Sequence, residues 1–179
     1  MKLYFATLFL LVSNIKSQLP WIEIRDLQDR FVVSFPKAPD YKQQEIKTEM
    51  GKVTNESFYV QGINKEHPND TYLFNVLTYN YELAEVKDDE EVEEILQNTI
   101  LDLAHNNKMQ PTYAIINRDD ETGTPFGDVR FINANKTKVM RAKLYLYRYH
   151  MIIMQVYMSE AESMNDKIDY FFRSYKNLL

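Results

Sequence analysis

The chain contains no cysteine, and this one absence removes a disulfide framework, thiolate catalysis, thiolate metal sites and a lipid-modified cysteine anchor together. Glycine and proline are scarce, at four and six residues of 179. No Gly-rich phosphate loop can be built from so few glycines, and no linker rich in Gly, Ser or Pro divides the chain. Histidine is equally thin. His67, His105 and His150 fall in three separate segments with no i, i+4 pair, so they form no zinc motif. The serines lack a G-x-S-x-G context and signal no nucleophile. Lysine and arginine never gather into a stripe, and 21 basic against 26 acidic residues give a net charge of -5. That balance leaves a nucleic-acid partner without an electrostatic footprint and disfavours an anionic membrane surface. No segment reaches the roughly 20 apolar residues that a membrane-spanning helix needs.

What is present is an ordinary globular composition, 45 % hydrophobic and 26 % charged, with thirteen tyrosines. The first seventeen residues stand apart. Lys2 supplies a short positive region, Leu3 to Val12 is apolar except for Thr7, and Ser17 is a small residue before Gln18. This is the pattern of a signal peptide over 1–17, which places a single domain over 18–179 outside the cytoplasm, periplasmic or secreted. Loss of Lys2 and Lys16 would leave 19 basic against 26 acidic residues, a net -7.

The organising stretch runs from 138 to 178. Val139 to Tyr147 alternates Ala142, Leu144 and Leu146 with Arg141, Lys143 and Tyr145, the period of a strand with one covered face. Met151 to Met158 is apolar on both faces and so needs cover on both. Ser159 and Glu162 form an S-x-x-E capping box, and Ala161, Met164, Ile168, Phe171, Phe172 and Tyr175 recur at helical spacing. This predicts an amphipathic helix starting at Ser159.

Upstream, Trp21 to Asp26 and Phe31 to Phe35 predict one hairpin, and Tyr41 to Met50 with Val53 to Ile63 a second at the sheet edge. Asn64 to Asp70 reads as a loop, and Tyr72 to Tyr81 as a central strand. Glu85 to Glu94 holds seven acidic residues. They sit where a helix dipole is positive, at the start of a helix whose face is Val92, Ile95, Leu96, Thr99, Ile100 and Leu103. Asn106 and Asn107 are placed to take its left-handed cap. Thr112 to Asn117 and Phe126 to Asn133 predict strands around a polar turn. In that turn Asn117, Asp119, Glu121 and Asp128 only faintly echo a calcium loop, because glycine sits one place late and no closing Glu follows. Sequons stand at Asn55, Asn69 and Asn135.

Phe31 to Pro36 as F-V-V-S-F-P, Thr48 to Gly51 as T-E-M-G, Tyr59, the strand Tyr72 to Tyr81, the Gly-Thr-Pro-Phe-Gly of 123 to 127, Arg141 and Phe171-Phe172-Arg-Ser-Tyr occur in a familiar order. In order and spacing the chain resembles secreted bacterial proteins of the PsbP-like superfamily. The resemblance implies an α+β fold, an antiparallel sheet flanked by helices in an α/β/α sandwich, and it implies no reaction.

The expected function is that of an extracytoplasmic, non-enzymatic binding or accessory protein for an unknown protein or small ligand, with no nucleic acid and no transmembrane segment in the mature chain. No catalytic residue, cofactor or metal ligand is predicted. One alternative is a hydrolase or metal-dependent enzyme with a dispersed site, and another a carrier of a small apolar ligand in a gap between helix and sheet. Tyrosine combines apolar area with a polar tip, so Tyr41, Tyr59, Tyr113 and Tyr149, where strands meet turns or edges, are the candidate partner surface. Export is expected to remove 1–17. N-terminal sequencing of the envelope protein should then begin near Gln18, and finding Met1 there refutes the cleavage.

Overall fold

A strand with apolar side chains on both sides is stable only between two layers, and His150–Ser159 is such a strand. The computed structural model describes residues 21–48, 51–63, 71–81, 89–120, 122–147 and 150–178 and puts this strand in the middle of a sheet. In chain order the strands are β1 (Ile22–Arg25), β2 (Phe31–Phe35), β3 (Asp40–Thr48), β4 (Gly51–Ile63), β5 (Thr71–Tyr81), β6 (Met109–Arg118), β7 (Pro125–Asn133), β8 (Lys138–Tyr147), β9 (His150–Ser159) and β10 (Lys176–Asn177). Helix α1 (Asp89–Asn107) lies between β5 and β6, and α2 (Asp166–Arg173) between β9 and β10. Seven strands pair antiparallel in the order β3, β4, β5, β9, β8, β7, β6, and β1, β2 and β10 make a smaller antiparallel sheet. The architecture is a sheet-rich, mixed α+β fold.

β9 is the fourth of the seven strands, and its alternate residues enter two different cores. Ile152, Met154, Val156 and Met158 join Phe58, Val60, Phe74 and Val76 on one face. That face is roofed by Phe31, Val33 and Phe35 of β2 with Ile168, Phe171 and Phe172 of α2. Met151 and Ile153 join Val129, Phe131, Met140, Ala142, Leu144 and Leu146 on the other, under Leu96 and Ile100 of α1. The sheet is therefore covered by one helix on one side and by a small sheet plus a short helix on the other.

Both predicted hairpins of the N-terminal half form, but β1 and β2 leave the main sheet and serve as part of its roof. β5 is an interior strand, and α1 begins at Asp89 as its acidic start requires. The strand expected over 112–117 is longer, running from 109 to 118 with a bulge between Pro111 and Tyr113. The left-handed residue after α1 is Lys108, with φ 52°, rather than an asparagine. Asn107 instead donates its side-chain amide to the Leu103 carbonyl at 2.8 Å.

The helix expected from Ser159 starts seven residues later. Ser159 remains in the β8–β9 ladder opposite Lys138, makes no capping hydrogen bond, and buries its hydroxyl without a partner among the described residues. A single 3-10 turn at Glu160–Glu162 follows. Asn165 is the real cap of α2, its side-chain oxygen accepting from the backbone N–H of Lys167 at 3.0 Å and of Ile168 at 3.2 Å. Ala161 and Met164, expected on the buried stripe, are exposed, and Tyr175 lies past the helix end. The signal segment, the 64–70 loop and residues 148 and 149 of the β8–β9 turn lie outside the described residues.

Ile100 is 5 % exposed under α1 while Glu93 and Glu94 face solvent. Ile100→Asp buries a carboxylate without a partner and is expected to cost several kcal/mol, a large part of the roughly 5–15 kcal/mol that hold a domain folded. Glu93→Gln should leave the unfolding midpoint within a degree or two, and equal shifts for the two variants would show the helix face to be wrong.

Candidate functional site

The densest cluster of charge is buried where the β1–β2 turn meets the large sheet. Asp26 closes that turn, its carboxylate accepting from the backbone N–H of Gln28 and of Arg30 at 3.3 Å each. Asp29 takes the left-handed conformation within it, φ 54°. The turn aims the Arg30 side chain inward. Its guanidinium meets Asp26 as a fork, Nε to Oδ2 at 2.6 Å and Nη2 to Oδ1 at 2.9 Å. Nη2 also donates to Glu56, which β4 presents on the face roofed by the small sheet. Glu56 in turn accepts from the Tyr41 hydroxyl at 2.8 Å and the Thr78 hydroxyl at 3.3 Å. The Arg30 carbonyl accepts from Leu178 N–H at 2.9 Å and ties down the C-terminus.

Arg30 and Asp26 are each 2 % exposed and Glu56 3 %, so the guanidinium is balanced by two carboxylates out of water. Burial works against the Asp26 charge, yet the hydrogen bonds and positive charge of Arg30 win and hold its carboxyl below the usual range. Desolvation and the bond to Glu56 push the Tyr41 hydroxyl up to about 12. His150, at the start of β9, is pulled below its ordinary value by burial first and by the Arg30 charge second, with Asp26 opposing. Chemically the cluster is a clamp. Its charged atoms are paired with one another and sealed from any substrate, and it docks the small sheet onto β4 and β5.

Of the four predicted tyrosines, the three among the described residues stand on different parts of the large sheet. Tyr41 stands on β3 with its hydroxyl in the clamp and its ring 5.0 Å from that of Phe58. Tyr59, on β4, faces the opposite side of the sheet, opposite Asn75 of β5. Tyr113 is exposed on β6 at the far edge, six strand spacings from β3 and thus roughly 28 Å away. Tyr149 lies outside the described residues. His105 is exposed near the end of α1, and His67 also lies outside the described residues. Among the described residues no group of three His, Asp or Glu is placed to hold a metal ion. Between β6 and β7 Asp119 accepts from the Thr122 N–H at 2.8 Å, with Gly123 at φ 67°.

The two edges of the large sheet differ in chemistry. β3 carries Asp40, Lys42, Glu45 and Lys47, the charged residues with which edges are usually guarded. β6 holds no charge from Met109 to Asn117, yet it is exposed along nearly its whole length. Tyr113 and Ile115, at 47 % and 45 % exposure, stand side by side on the face away from α1, opposite Arg130 and Asp128 of β7. Sequence reasoning picked Tyr113 but missed the neutral edge, and it missed Arg30 and Glu56 altogether. A charged residue opening the buried run FVVSF was the available signal for Arg30.

No protein-family model matches the chain, and no curated protein matches it.

His150 on β9 and Asp26 in the clamp make stability depend on pH in two stages. A histidine with a depressed pKa binds fewer protons folded than unfolded, so stability falls as pH drops below about 6.5. Asp26, also depressed, contributes stability that is present above about pH 4 and lost below it. His150→Gln should abolish the upper decline of the thermal midpoint. Asp26→Asn should abolish the lower one at a cost of about 3–5 kcal/mol, the usual effect of removing one partner from a buried pair. A midpoint that stays flat between pH 7 and pH 5 in the unaltered protein would refute the burial that holds the His150 imidazole below its ordinary value.

Proposed function

We propose that the chain is an extracytoplasmic, non-enzymatic binding module of PsbP-like architecture whose partner is an extended polypeptide segment added along the outer side of β6. The observation that carries this reading is the uncharged edge, which Pro111 and the bulge after it guard only in its first part, before Tyr113. A ten-residue terminal strand with no charge before Arg118 invites pairing with another strand, a hazard that edge strands normally avoid with charge. Main-chain hydrogen bonds would supply affinity, and Tyr113 and Ile115 would read alternate side chains of the added strand. Arg130 and Asp128 lie behind them as a polar border to that apolar pair. Lys2, the Leu3 to Val12 run and Ser17 support the location. Two roofs over one antiparallel sheet support the PsbP-like reading, although a small sheet makes up part of one roof. The buried clamp supports a scaffold role, because its acids and its arginine are used on one another.

A displayed library of random peptides should yield uncharged, β-branched or aromatic sequences that protect the β6 amides from hydrogen exchange. Ile115→Lys should weaken the selected peptides at least tenfold while moving the unfolding midpoint little, and Lys42→Ala on the opposite edge should leave them unaffected. Protection on β3 instead of β6, or indifference to Ile115→Lys, would remove β6 as the partner edge.

A further inference from the structure

A polar row crosses the α1 side of the sheet where an apolar one would be expected. From edge to edge the registered residues are Asp40, Tyr59, Asn75, Gln155, Ala142, Val129 and Ala114. The α1 backbone approaches β6, β7 and β8, so the helix lies over the half of the row that is alanine and valine. The other half holds two carboxamides. Asn75 is 9 % exposed and Gln155 4 %, and Gln155 is the one polar side chain besides Tyr157 between Met151 and Met158.

These amides are poorly used by the protein itself. Ser57 Oγ donates to Asn75 Oδ1 at 2.9 Å, and Asn75 Nδ2 donates to Gln155 Oε1 at 3.5 Å, the limit of a hydrogen bond. Among the described residues that long bond is the only one the Gln155 side chain makes, and its Nε2 stays within reach of solvent and free to donate outward. A ligand carbonyl can take the place of water at that donor. The rows on either side are mainly apolar. Leu77 and Ile153 border it towards Leu144, and Leu73 and Tyr157 border it towards Met140. Tyr157 is held by its hydroxyl, which donates to Asn107 at the end of α1. Ser57, Tyr59, Leu73 and Leu77 are half-exposed and form the way in. The nearest charges in register, Asp40 and Lys42, stand at the β3 margin.

We propose that this floor, formed by Asn75 and Gln155 between Leu73 and Leu77, binds a neutral ligand whose carboxamide is flanked by apolar groups, the chemistry of a short uncharged peptide. A carbonyl of the ligand accepts from Gln155 Nε2, and an adjacent N–H donates to the remaining lone pair of Asn75 Oδ1. Apolar groups on either side lie over Leu73 and Leu77. A polyol would match the amides but would lay hydroxyls on the two leucines, and a charged ligand would find no counter-ion beside the two amides, since Asp40 stands at the β3 margin of the row. The site shares no residue with β6, so it stands or falls separately from strand addition there.

The test uses the uniformly 15N-labelled full chain, with the side-chain amide signals of Gln155 and Asn75 assigned by substitution. Titration with N-acetyl-leucyl-leucine amide is expected to shift the Gln155 signal downfield and saturably, and maltose is expected to leave it unmoved. Gln155→Met, which keeps the shape and removes the donor, should weaken the dipeptide about tenfold, a loss equivalent to about 1.4 kcal/mol. Ser57→Ala, at the rim, should weaken it about threefold in a protein whose fold is unchanged, which keeps the test decisive if Gln155→Met does not fold. A saturable response to maltose alone, no saturable response to the dipeptide, or undiminished binding by the folded variants would overturn the proposal.

Discussion

A central strand with no side facing water forces the rest of the arrangement. Every second residue of β9 points into a different core, so the sheet requires two roofs, and the chain builds them from different material. α1 is long, begins on a run of acids that suits its dipole, and lays Leu96 and Ile100 over β7 and β8. The opposite roof is assembled from the two ends of the described chain, β2 from one and α2 from the other. They are joined where the Ser34 N–H donates to the Ser174 hydroxyl at 2.9 Å. Apolar area on both sides of one strand is the larger source of stability here, since each fully buried Ile, Met or Phe contributes on the order of 1.5–3 kcal/mol relative to exposure.

The Arg30 clamp answers a narrower question, which is how the small sheet finds its position. Apolar packing between two layers is tolerant of sliding, whereas a forked guanidinium shared by a turn and a neighbouring strand has one good geometry. Burying three charges gains little net stability against an apolar replacement of the same shape. Its value lies in register: any shift of β2 that parts Arg30 from Glu56 leaves charge buried and unpaired. Tyr41 and Thr78 complete the coordination of Glu56 from the two strands that flank β4, so the clamp reads the order of three adjacent strands.

What could be read in advance was whatever depends on local period. The β8–β9 hairpin, the interior place of β5 and the start of α1 all follow from spacing within a dozen residues. The failures arise where a distant partner outweighs a local signal. Ser159 and Glu162 have the spacing of a cap, but strand pairing with Lys138 carries the ladder through Ser159, and Asn165 offers a cap with two backbone donors in reach. Lys108 turns left-handed in place of an asparagine because the Asn107 side chain is occupied with the preceding turn of its own helix. Arg30 could not be paired with Glu56 from the sequence, since 26 residues separate them and only the docking of two sheets brings them together. Tyr41 was marked as a surface residue, and its ring is indeed part-exposed, but its hydroxyl is tied inward to Glu56.

The departures from simple patterning fall in three places, and they differ in kind. In the clamp every departure is matched by a partner within the protein, which is how a structural device behaves. Along β6 and over Gln155 the departures find no partner among the described residues: a terminal strand uncharged before Arg118, and an amide donor left to solvent. Both are disadvantages for a chain that only has to fold, because the first promotes unwanted pairing and the second sacrifices stability that a leucine would have supplied. A sheet that guards β3 with four charged residues has the means to guard β6 as well. The difference between its two edges is therefore the strongest reason to look for what this protein binds on its neutral side.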